Sequence, residues 1–431
     1  MISQRFLEIK QFISPKILWG CLAIVQTVLL IVLFLSWTPV QLSMVVPRSE
    51  LDHWEKIVAE FEADHAKIKI NLIGLENIKG DITGKIKEVC ALAIPDRSVC
   101  DLIYLDVIWV AELSQSGQLL PLESRLEEQN LQDFSQPDIQ AGQYQGHLYW
   151  LPLRSDLGLL YYRKDWLDQL GVAPPETFAD LTRISQTLQT QEISDWGFLW
   201  QGEAYEGLSA VFVEILQGFG GFWLDLEQQE VGLEQPAALE AVQFLRETLG
   251  RISPPQVQNY TEAESLTAFL AGDAAFLRHW PAALERIKAS PLQSQIGLQP
   301  MMLHQPGETG GACRGSWGFS IAKNSRHPEA AWQAISYFTS ERGQRRFIVN
   351  TGFFPSRLPI LQDEDLIAEY PYYEHLPQAI EQAVSRPPLP EYAEVSQILQ
   401  KFLSLALAGQ LSPEAAMEQA ASETRQLLGW E

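Results

Sequence analysis

Hydrophobic residues follow two periods in the first part of the chain, and together they predict alternating strands and helices. Residues 40–46 and 67–73 ("KIKINLI") alternate as strands do, and the run "DLIYLDV" (101–107) is continuously apolar, as in a buried strand. Between the first two predicted strands, apolar residues recur every three or four positions, which predicts a helix: Leu51, Trp54, Val58 and Phe61. Ser49 and Asp52 resemble a capping box at the start of that helix. This order predicts a parallel sheet covered on both faces.

The same pattern recurs further along the chain. The stretches "GHLYWLPL", "LGLLYYRKDWLDQLG", "GDAAFLRHWPAALERI" and "SWGFSIAKN" each contain a predicted strand, and three of them run on into a helix. From Pro328 onward the periodicity is mostly helical. A chain of 431 residues can form two domain-sized cores, or two lobes that share a chain crossing between them.

One carboxylate interrupts the apolar run of the third strand. Asp106 lies among eight apolar neighbours between Leu102 and Val110, and a buried carboxylate without a partner is costly. Ligands of open α/β sheets bind at the carboxyl ends of strands, where Asp106 lies. The sequence therefore predicts that Asp106 binds a ligand.

The N-terminal segment is predicted to be separate from the fold. Residues 17–37 contain no charged residue and follow Arg5, Lys10 and Lys16; as a helix they would span roughly 30 Å. The basic flank predicts a cytoplasmic stub of residues 1–16 and places the rest of the chain outside the membrane. We favour an uncleaved membrane anchor over a cleaved signal, because the apolar run is long and no small-x-small site follows it.

Export changes what the cysteines can do. Cys90 and Cys100 flank a short loop, and an oxidising compartment would let them form a disulfide. The alternative is a pair of unpaired buried thiols.

The net charge of −23 argues against nucleic acid or an anionic membrane surface as a partner, because both require a cationic surface. A neutral ligand is favoured. The composition, with 46% apolar and 20% charged residues, is typical of a folded globular protein.

Several kinds of chemistry lack their sequence signature. "GDITGKI" has one residue too few between its glycines for a phosphate loop and lacks the final Ser or Thr. Ser316 lacks the G-x-S-x-G frame of a hydrolase nucleophile, and the seven histidines show no metal-ligand spacing. No metal or cofactor is expected, and a pair of hydrolytic carboxylates has no local signature.

A family resemblance covers the chain from about residue 40 to its end. The blocks that carry it are "CDLIYLDVIWVAELSQSGQLLPL", "GHLYWLPLRSDLGLLYYRKDWLDQLGV", "WGFLWQGEAYEGL", "GDAAFLRHWPAALE", "GSWGFSIAKNSRHPEAAWQAISYF", "NTGFFPSR" and "RPPLPEYAEVSQILQKFLSLALAGQLSPEAA". They resemble, in order, the extracellular carbohydrate-binding proteins of bacterial ABC importers, and most of all the trehalose/maltose-binding type.

The resemblance implies an α/β periplasmic-binding-protein fold of the maltose-binding type (type II), with two lobes that close on a ligand around a hinge. Lobe 1 would comprise residues 40–152 plus 278–322, and lobe 2 residues 153–277 plus 323–431. A monomer is expected. It would work with ABC permease subunits and their ATPase.

The resemblance also assigns ligand-binding roles by position. Carboxylates would accept sugar hydroxyls, a guanidinium would donate to them, and rings would stack on the sugar. The residues are Glu50, Asp106, Trp109, Asp156, Trp280, Trp317 and Arg386, with Arg154, Gln201, Tyr205, Glu206 and Gly315 as weaker candidates.

Each assignment has a structural alternative. Asp106 could cap the following helix, Glu50 could complement a helix N-terminus, and Arg386 could pair with an acidic neighbour. Asp156 could be a turn residue, Trp280 and Trp317 core residues, and Gln201, Tyr205 and Glu206 braces of the cleft. If Asp106 instead meets a sugar hydroxyl, or water in its absence, removing the carboxyl should abolish binding and hardly change stability.

The chain departs from the pattern of close relatives in this family at Arg154, where they carry an aromatic residue, and after Trp280, where Ala282 and Leu284 stand in place of residues that are often aromatic. These changes favour a small glycoside such as trehalose, maltose, sucrose or glucosylglycerol over a large α-glucoside. The main hypothesis is a non-enzymatic sugar-binding subunit of an importer. Its alternatives are a glycoside hydrolase that uses Asp106 and Asp156, or a sensor that signals through a membrane partner.

Overall fold

A computed structural model describes residues 19, 24–27, 38–76, 82–91, 100–128, 130–304 and 311–430. The strands within these ranges are β1 Val40–Pro47, β2 Ile68–Leu75, β3 Leu102–Asp106, β4 Gln143–Tyr144, β5 His147–Leu148, β6 Leu151–Arg154, β7 Leu159–Arg163, β8 Trp196–Leu199, β9 Leu224–Asp225, β10 Glu230–Val231, β11 Ala274–His279, β12 Ile296–Pro300 and β13 Trp317–Ile321.

The α-helices within the same ranges begin with α1 Leu51–Asp64, α2 Ile82–Ala91, α3 Val110–Gln115, α4 Gln136–Ala141, α5 Lys164–Leu170, α6 Phe178–Thr190, α7 Glu206–Gly218, α8 Pro236–Thr248 and α9 Glu262–Ala271. They continue with α10 Ala283–Lys288, α11 Pro328–Phe338, α12 Glu341–Thr351, α13 Leu358–Leu361, α14 Glu364–Glu369, α15 Leu376–Gln382, α16 Tyr392–Leu407 and α17 Pro413–Leu428. The predicted helical character of the chain after Pro328 is confirmed.

The expected membrane anchor, residues 17–37, lies almost entirely outside the described residues. Within the described ranges, no helix combines the length and the apolar character that crossing a bilayer requires.

The first lobe is built on a five-stranded sheet in the order β2-β1-β3-β13-β6. The parallel pairing of β1 with β2 and with β3 confirms the prediction from the alternating pattern. β13, however, runs antiparallel to both β3 and β6, so the sheet is mixed. The local pattern could not predict this, because β13 enters the sheet after the chain has returned from the second lobe.

The second lobe contains a four-stranded sheet in the order β12-β7-β11-β8. β7 is antiparallel to both of its neighbours, β11 and β12, whereas β8 and β11 are parallel. Helices α7, α8, α16 and α17 contact one another and complete this lobe.

The predicted lobe boundaries were wrong in two segments. Residues 278–322 were assigned to the first lobe, but β12 within them pairs with β7 of the second sheet. Residues 323–431 were assigned to the second lobe, but α11 and α12 pack on the first. There the ring of Trp54, from α1, contacts Phe338 of α11 and Phe347 of α12 at centroid distances of 5.4 and 4.9 Å.

The chain passes between the lobes at three crossing segments, residues 154–156, 313–316 and 352–356. Asp138, which is fully buried, accepts hydrogen bonds from two of them. Its carboxylate receives the Ser155 hydroxyl, the Arg314 Nη1–H at 2.9 Å and the Ser316 hydroxyl at 2.6 Å. A single charged acceptor therefore fixes two crossing segments to the first lobe.

Two local predictions had different outcomes. Cys90 and Cys100 form a disulfide, whereas Cys313 is a buried free thiol. The predicted capping box at Ser49 does not form. A 3-10 turn, Arg48–Glu50, precedes α1, and Glu50, the N-cap residue of α1, makes no side-chain cap.

Candidate functional site

A cleft between the two lobes contains most of the predicted ligand-binding residues. Its volume is about 320 Å³, near the lower end of the ~300–1,000 Å³ usual for small-molecule sites. The carboxyl ends of β1 and β3 reach it through Pro47 and Asp106. Of the predicted residues, those that line it are Glu50, Asp106, Arg154, Asp156, Tyr205, Glu206, Trp280, Gly315, Trp317 and Arg386.

Asp106 has two partners within the protein. Its Oδ1 accepts the backbone N–H of Ile108 at 3.2 Å, which caps the short turn after β3. Arg386 donates from Nη2 to both carboxylate oxygens, at 3.0 and 3.1 Å. The capping alternative is thus confirmed. The expectation that only a hydroxyl or water would face Asp106 was wrong, because a guanidinium from the other lobe already neutralises it.

Arg386 connects the two lobes through a second carboxylate. Its Nη1 donates to Glu206 Oε1 at 2.8 Å, at the first residue of α7. Glu206 also accepts hydrogen bonds from the hydroxyls of Tyr392 and Ser396 on α16. Burial raises the pKa of the Glu206 carboxyl, although Arg386 opposes that shift. The predicted bracing role of Glu206 and the pairing alternative for Arg386 are both confirmed.

A second arginine bridges two further carboxylates. Arg154 donates from Nη1 to Glu50 Oε1 at 3.1 Å, and its Nε lies 3.0 Å from Asp156 Oδ2. The other oxygen of Glu50 accepts from the indole N–H of Trp54 at 3.3 Å. Since all three charged side chains are at least nine-tenths buried, this is a desolvated acid–base–acid cluster at the base of the cleft.

Asp156, the third member of this cluster, has a strongly raised carboxyl pKa. Burial raises the pKa of its carboxyl to about 7, even though Arg154 and a backbone N–H of Phe354 favour the charged form. The nearby carboxylates of Glu50 and Asp106 add to the increase. Asp156 can therefore both donate and accept a hydrogen bond below neutral pH.

The opposite wall of the cleft is formed by Trp280 and its neighbours. The indole N–H of Trp280 and the hydroxyl of Tyr205 both donate to Glu262, at 3.2 and 2.6 Å. The Arg278 guanidinium lies over the Trp280 ring at 4.0 Å. A Cβ on Gly315 would come within 2.7 Å of that ring, so only glycine allows the ring to approach this crossing segment so closely.

Two predicted residues are not among those that line the cleft. Gln201 is fully buried and exchanges hydrogen bonds with Ser265 and Arg278, so the bracing alternative is confirmed. Trp109 is a buried core residue behind β3.

Other residues that line the cleft were not predicted. They include His53, Glu262, Glu285, Arg286 and Phe353. The Nε2 of His53, on α1, lies 3.2 Å from Glu285 Oε1 on α10, so this pair joins the lobes at the edge of the cleft. Phe353 lies within the block "NTGFFPSR", which carried the family resemblance without a role being assigned to it.

A two-lobed α/β fold with a charged and aromatic cleft at the chain crossings defines a class of proteins that bind a solute between lobes. The chain belongs to the family of bacterial extracellular solute-binding proteins, whose model matches residues 48–345.

Individual relatives agree with this assignment. A probable ABC transporter-binding protein of Deinococcus radiodurans is 28% identical over 311 residues, or 70% of this chain and 73% of the relative. A maltotriose-binding protein of Pyrococcus abyssi is 24% identical over 80% of this chain and 72% of its own length. Among solved structures, maltose-bound MalE3 of T. maritima is 29% identical and matches with a TM-score of 0.83 over 90% of this chain and 100% of its own.

Proposed function

We propose that this protein captures a neutral sugar, a sugar-derived polyol or a small glycoside outside the cytoplasm and delivers it to an ABC permease. Candidate solutes are trehalose, maltose, sucrose and glucosylglycerol. The proteins it resembles include one solved with maltose, and the same fold is seen in proteins solved with α-D-tagatose and with ribitol.

The observation that carries this proposal is the composition of the cleft wall. A half-buried indole, Trp280, offers a face for the C–H groups of a sugar ring. Around it lie carboxylates and guanidinium groups, which accept from and donate to hydroxyls. This combination of one flat apolar surface and many fixed polar groups suits a polyhydroxylated ligand.

The charges of the cleft favour a neutral ligand. Six carboxyl side chains line it against three guanidinium groups, which leaves an excess of negative charge even if Asp156 is protonated. A phosphorylated or carboxylated sugar would be repelled by that excess. Carboxylates and guanidinium groups already pair with one another within the wall. A neutral hydroxyl can therefore join these hydrogen bonds without leaving a charge unmatched.

The proposal includes delivery from a membrane-attached position. Residues 17–37, with their basic flank, support an anchor in the plasma membrane that leaves both lobes on its outer face. Extraction of native membranes followed by N-terminal sequencing tests this: the sequence should begin at or near Met1. A mature N-terminus close to Val40 in a soluble fraction would overturn the anchor.

Titration calorimetry on the purified chain tests the proposed ligand class. Trehalose, maltose, sucrose, glucosylglycerol and ribitol serve as probes, with glucose 6-phosphate as the charged comparison. We expect binding of at least one neutral probe and none of the phosphate. Absence of heat with all neutral probes would contradict the proposal.

Two tryptophan variants locate the site. Trp280→Ala should weaken binding by at least roughly tenfold, which corresponds to about 1.4 kcal/mol. Trp166→Ala is the matched control, because the Trp166 ring also lies against an arginine, Arg163, at 3.9 Å but does not line the cleft. Equal losses in both variants would argue against the assigned cleft.

The same protein samples distinguish the proposed capture function from a hydrolase and from a sensor. A bound disaccharide recovered intact after long incubation supports capture, whereas release of its monosaccharides would indicate a hydrolase. Copurification with permease subunits supports transport, whereas copurification with a signalling membrane protein alone would indicate a sensor.

A further inference from the structure

Arg154 lies in the wall of the cleft, where its side chain contacts both carboxylates and aromatic rings. It is the last residue of β6, where it lies opposite Trp317 of β13 and forms an isolated bridge with Pro355 of the third crossing segment. Its side chain is only 5% exposed, yet it lines the cleft. The guanidinium is therefore part of the wall that a ligand meets.

Aromatic rings surround this guanidinium. Its central carbon lies 3.6 Å from the ring centroid of Phe353 and 4.9 Å from that of Trp317, both within the roughly 6 Å of a cation–π contact. Tyr104, behind them, lies at 5.7 Å. Phe353 and Trp317 are each only 7% exposed. The ring faces that Arg154 covers are thus closed to a ligand.

The remaining aromatic surface of the cleft is small. Of the four aromatic residues that line it within the described chain, Tyr205, Trp317 and Phe353 are buried, and only Trp280 is half-buried. Stacking requires an accessible ring face. The cleft therefore offers one stacking surface.

Arg154 also changes the polar character of the wall. Its contacts with Glu50 and Asp156 use one acceptor oxygen of each carboxylate. A guanidinium has five N–H groups, and those on Nη2 make no hydrogen bond to any described residue. A ligand thus meets a cationic donor at a place where a pair of free carboxylates would have offered only acceptors.

We propose that Arg154 is a specificity-determining residue. By covering Phe353 and Trp317, it restricts the cleft to a ligand with one stacked sugar ring, joined to at most a second ring or a short polyol, that presents an acceptor oxygen to the guanidinium. The proposal rests on the proposed sugar-binding function and adds the size class of the ligand.

Arg154→Ala is the direct test, with the full chain titrated against maltose, maltotriose and maltotetraose. In the unmodified protein, the affinity for three and four rings should not exceed that for two. In the variant, the uncovered rings should raise the preference for maltotriose over maltose by at least roughly tenfold. An unchanged preference would overturn the role of Arg154.

Further variants separate specificity from damage to the fold. Glu50→Gln/Arg154→Ala removes a charge of each sign and should show the same change in preference if Arg154→Ala alone is too unstable to titrate. Arg154→Lys keeps the charge but not the planar group. It should lose affinity for maltose, and it should change the preference for maltotriose over maltose less than Arg154→Ala does. If neither the unmodified chain nor any variant binds any of the neutral probes, ribitol included, both this inference and the sugar-binding proposal fail. If the unmodified chain binds a neutral probe but neither it nor any variant binds maltose or maltotriose, only this inference fails. If the unmodified chain binds maltose and the preference never changes, only this inference fails.

Discussion

Asp106 shows how one carboxylate can belong to both the fold and the site. It caps the turn after β3, and both of its oxygens accept from Nη2 of Arg386 across the cleft. Removing one partner of a buried ion pair leaves the other uncompensated, which usually costs about 3–5 kcal/mol. Because Glu206 remains beside Arg386, the effect here should lie near the lower end of that range.

We therefore expect Asp106→Asn to lower the free energy of unfolding by about 3 kcal/mol, measured by urea denaturation. The control is Glu423→Gln, which breaks the exposed pair between Lys401 and Glu423 and should cost less than about 1 kcal/mol. If the two variants proved equally stable, the pair with Arg386 would have no structural role.

Asp156 makes stability depend on pH. The pKa of its carboxyl rises from about 3.8 to about 7 on folding, because burial disfavours the charged form. Between these values the folded chain keeps a proton that the unfolded chain has released, so the free energy of unfolding falls as the pH rises through this window. The contribution is complete below the lower value and lost above the upper one.

Asp156→Asn cannot titrate, so its stability should lack this component. The difference in free energy of unfolding between the unmodified chain and the variant should decrease from pH 4 to pH 7 and then stay level. A difference that is constant across this range would show that Asp156 is ionised in the folded protein throughout.

At the scale of residues, sequence reasoning identified single positions better than it identified their partners. Ten of the twelve predicted residues line the cleft. Their pairing was missed, because Asp106 and Arg386 lie 280 positions apart and Glu50 and Arg154 lie 104 apart. No local pattern encodes such contacts. Phe353 was missed for a similar reason: an apolar residue in a loop looks the same whether it lines a cleft or a core.

At the scale of elements, α2 and the start of β3 are joined by the disulfide between Cys90 and Cys100. Closing a loop of this length typically stabilises a protein by about 2–4 kcal/mol. The bond also requires the oxidising compartment that export would provide.

Counting thiols tests the bond directly. The full chain contains four cysteines, so denatured but unreduced protein should expose two reactive thiols, Cys21 and Cys313, and reduction should raise the number to four. Under native conditions the buried Cys313 should react slowly, since burial raises the pKa of its thiol to about 12. Four reactive thiols without reduction would show that the disulfide is absent.

The elements themselves were mostly predictable from periodicity, whereas their membership of lobes was not. β12 and the helices α11 and α12 were assigned to the wrong lobe, because lobe membership depends on strand pairing and on packing around Trp54. Hydrophobic periodicity shows which face of an element is buried. It does not show which other element that face packs against.

At the scale of the whole molecule, polar contacts join the lobes at separate places. Arg386 meets Asp106 inside the cleft, and His53 meets Glu285 at its edge. Asp138 fixes the crossing segments behind them. Opening the cleft must therefore separate the first two contacts, whereas a rotation about the crossing segments can leave those of Asp138 in place.

The position of β13 in the first sheet has a consequence for biosynthesis. β13 pairs with both β3 and β6, but the ribosome completes every strand of the second sheet before it reaches residue 317. Until then β3 and β6 have unpaired edges, which are sites of aggregation. We expect a chain that ends at residue 312 to aggregate and to regain solubility when residues 313–431 are supplied as a separate fragment. The first lobe thus cannot complete its sheet during translation ahead of the second, so we expect this lobe of the nascent chain to stay incompletely folded, and open to export, until nearly three quarters of the chain has been made.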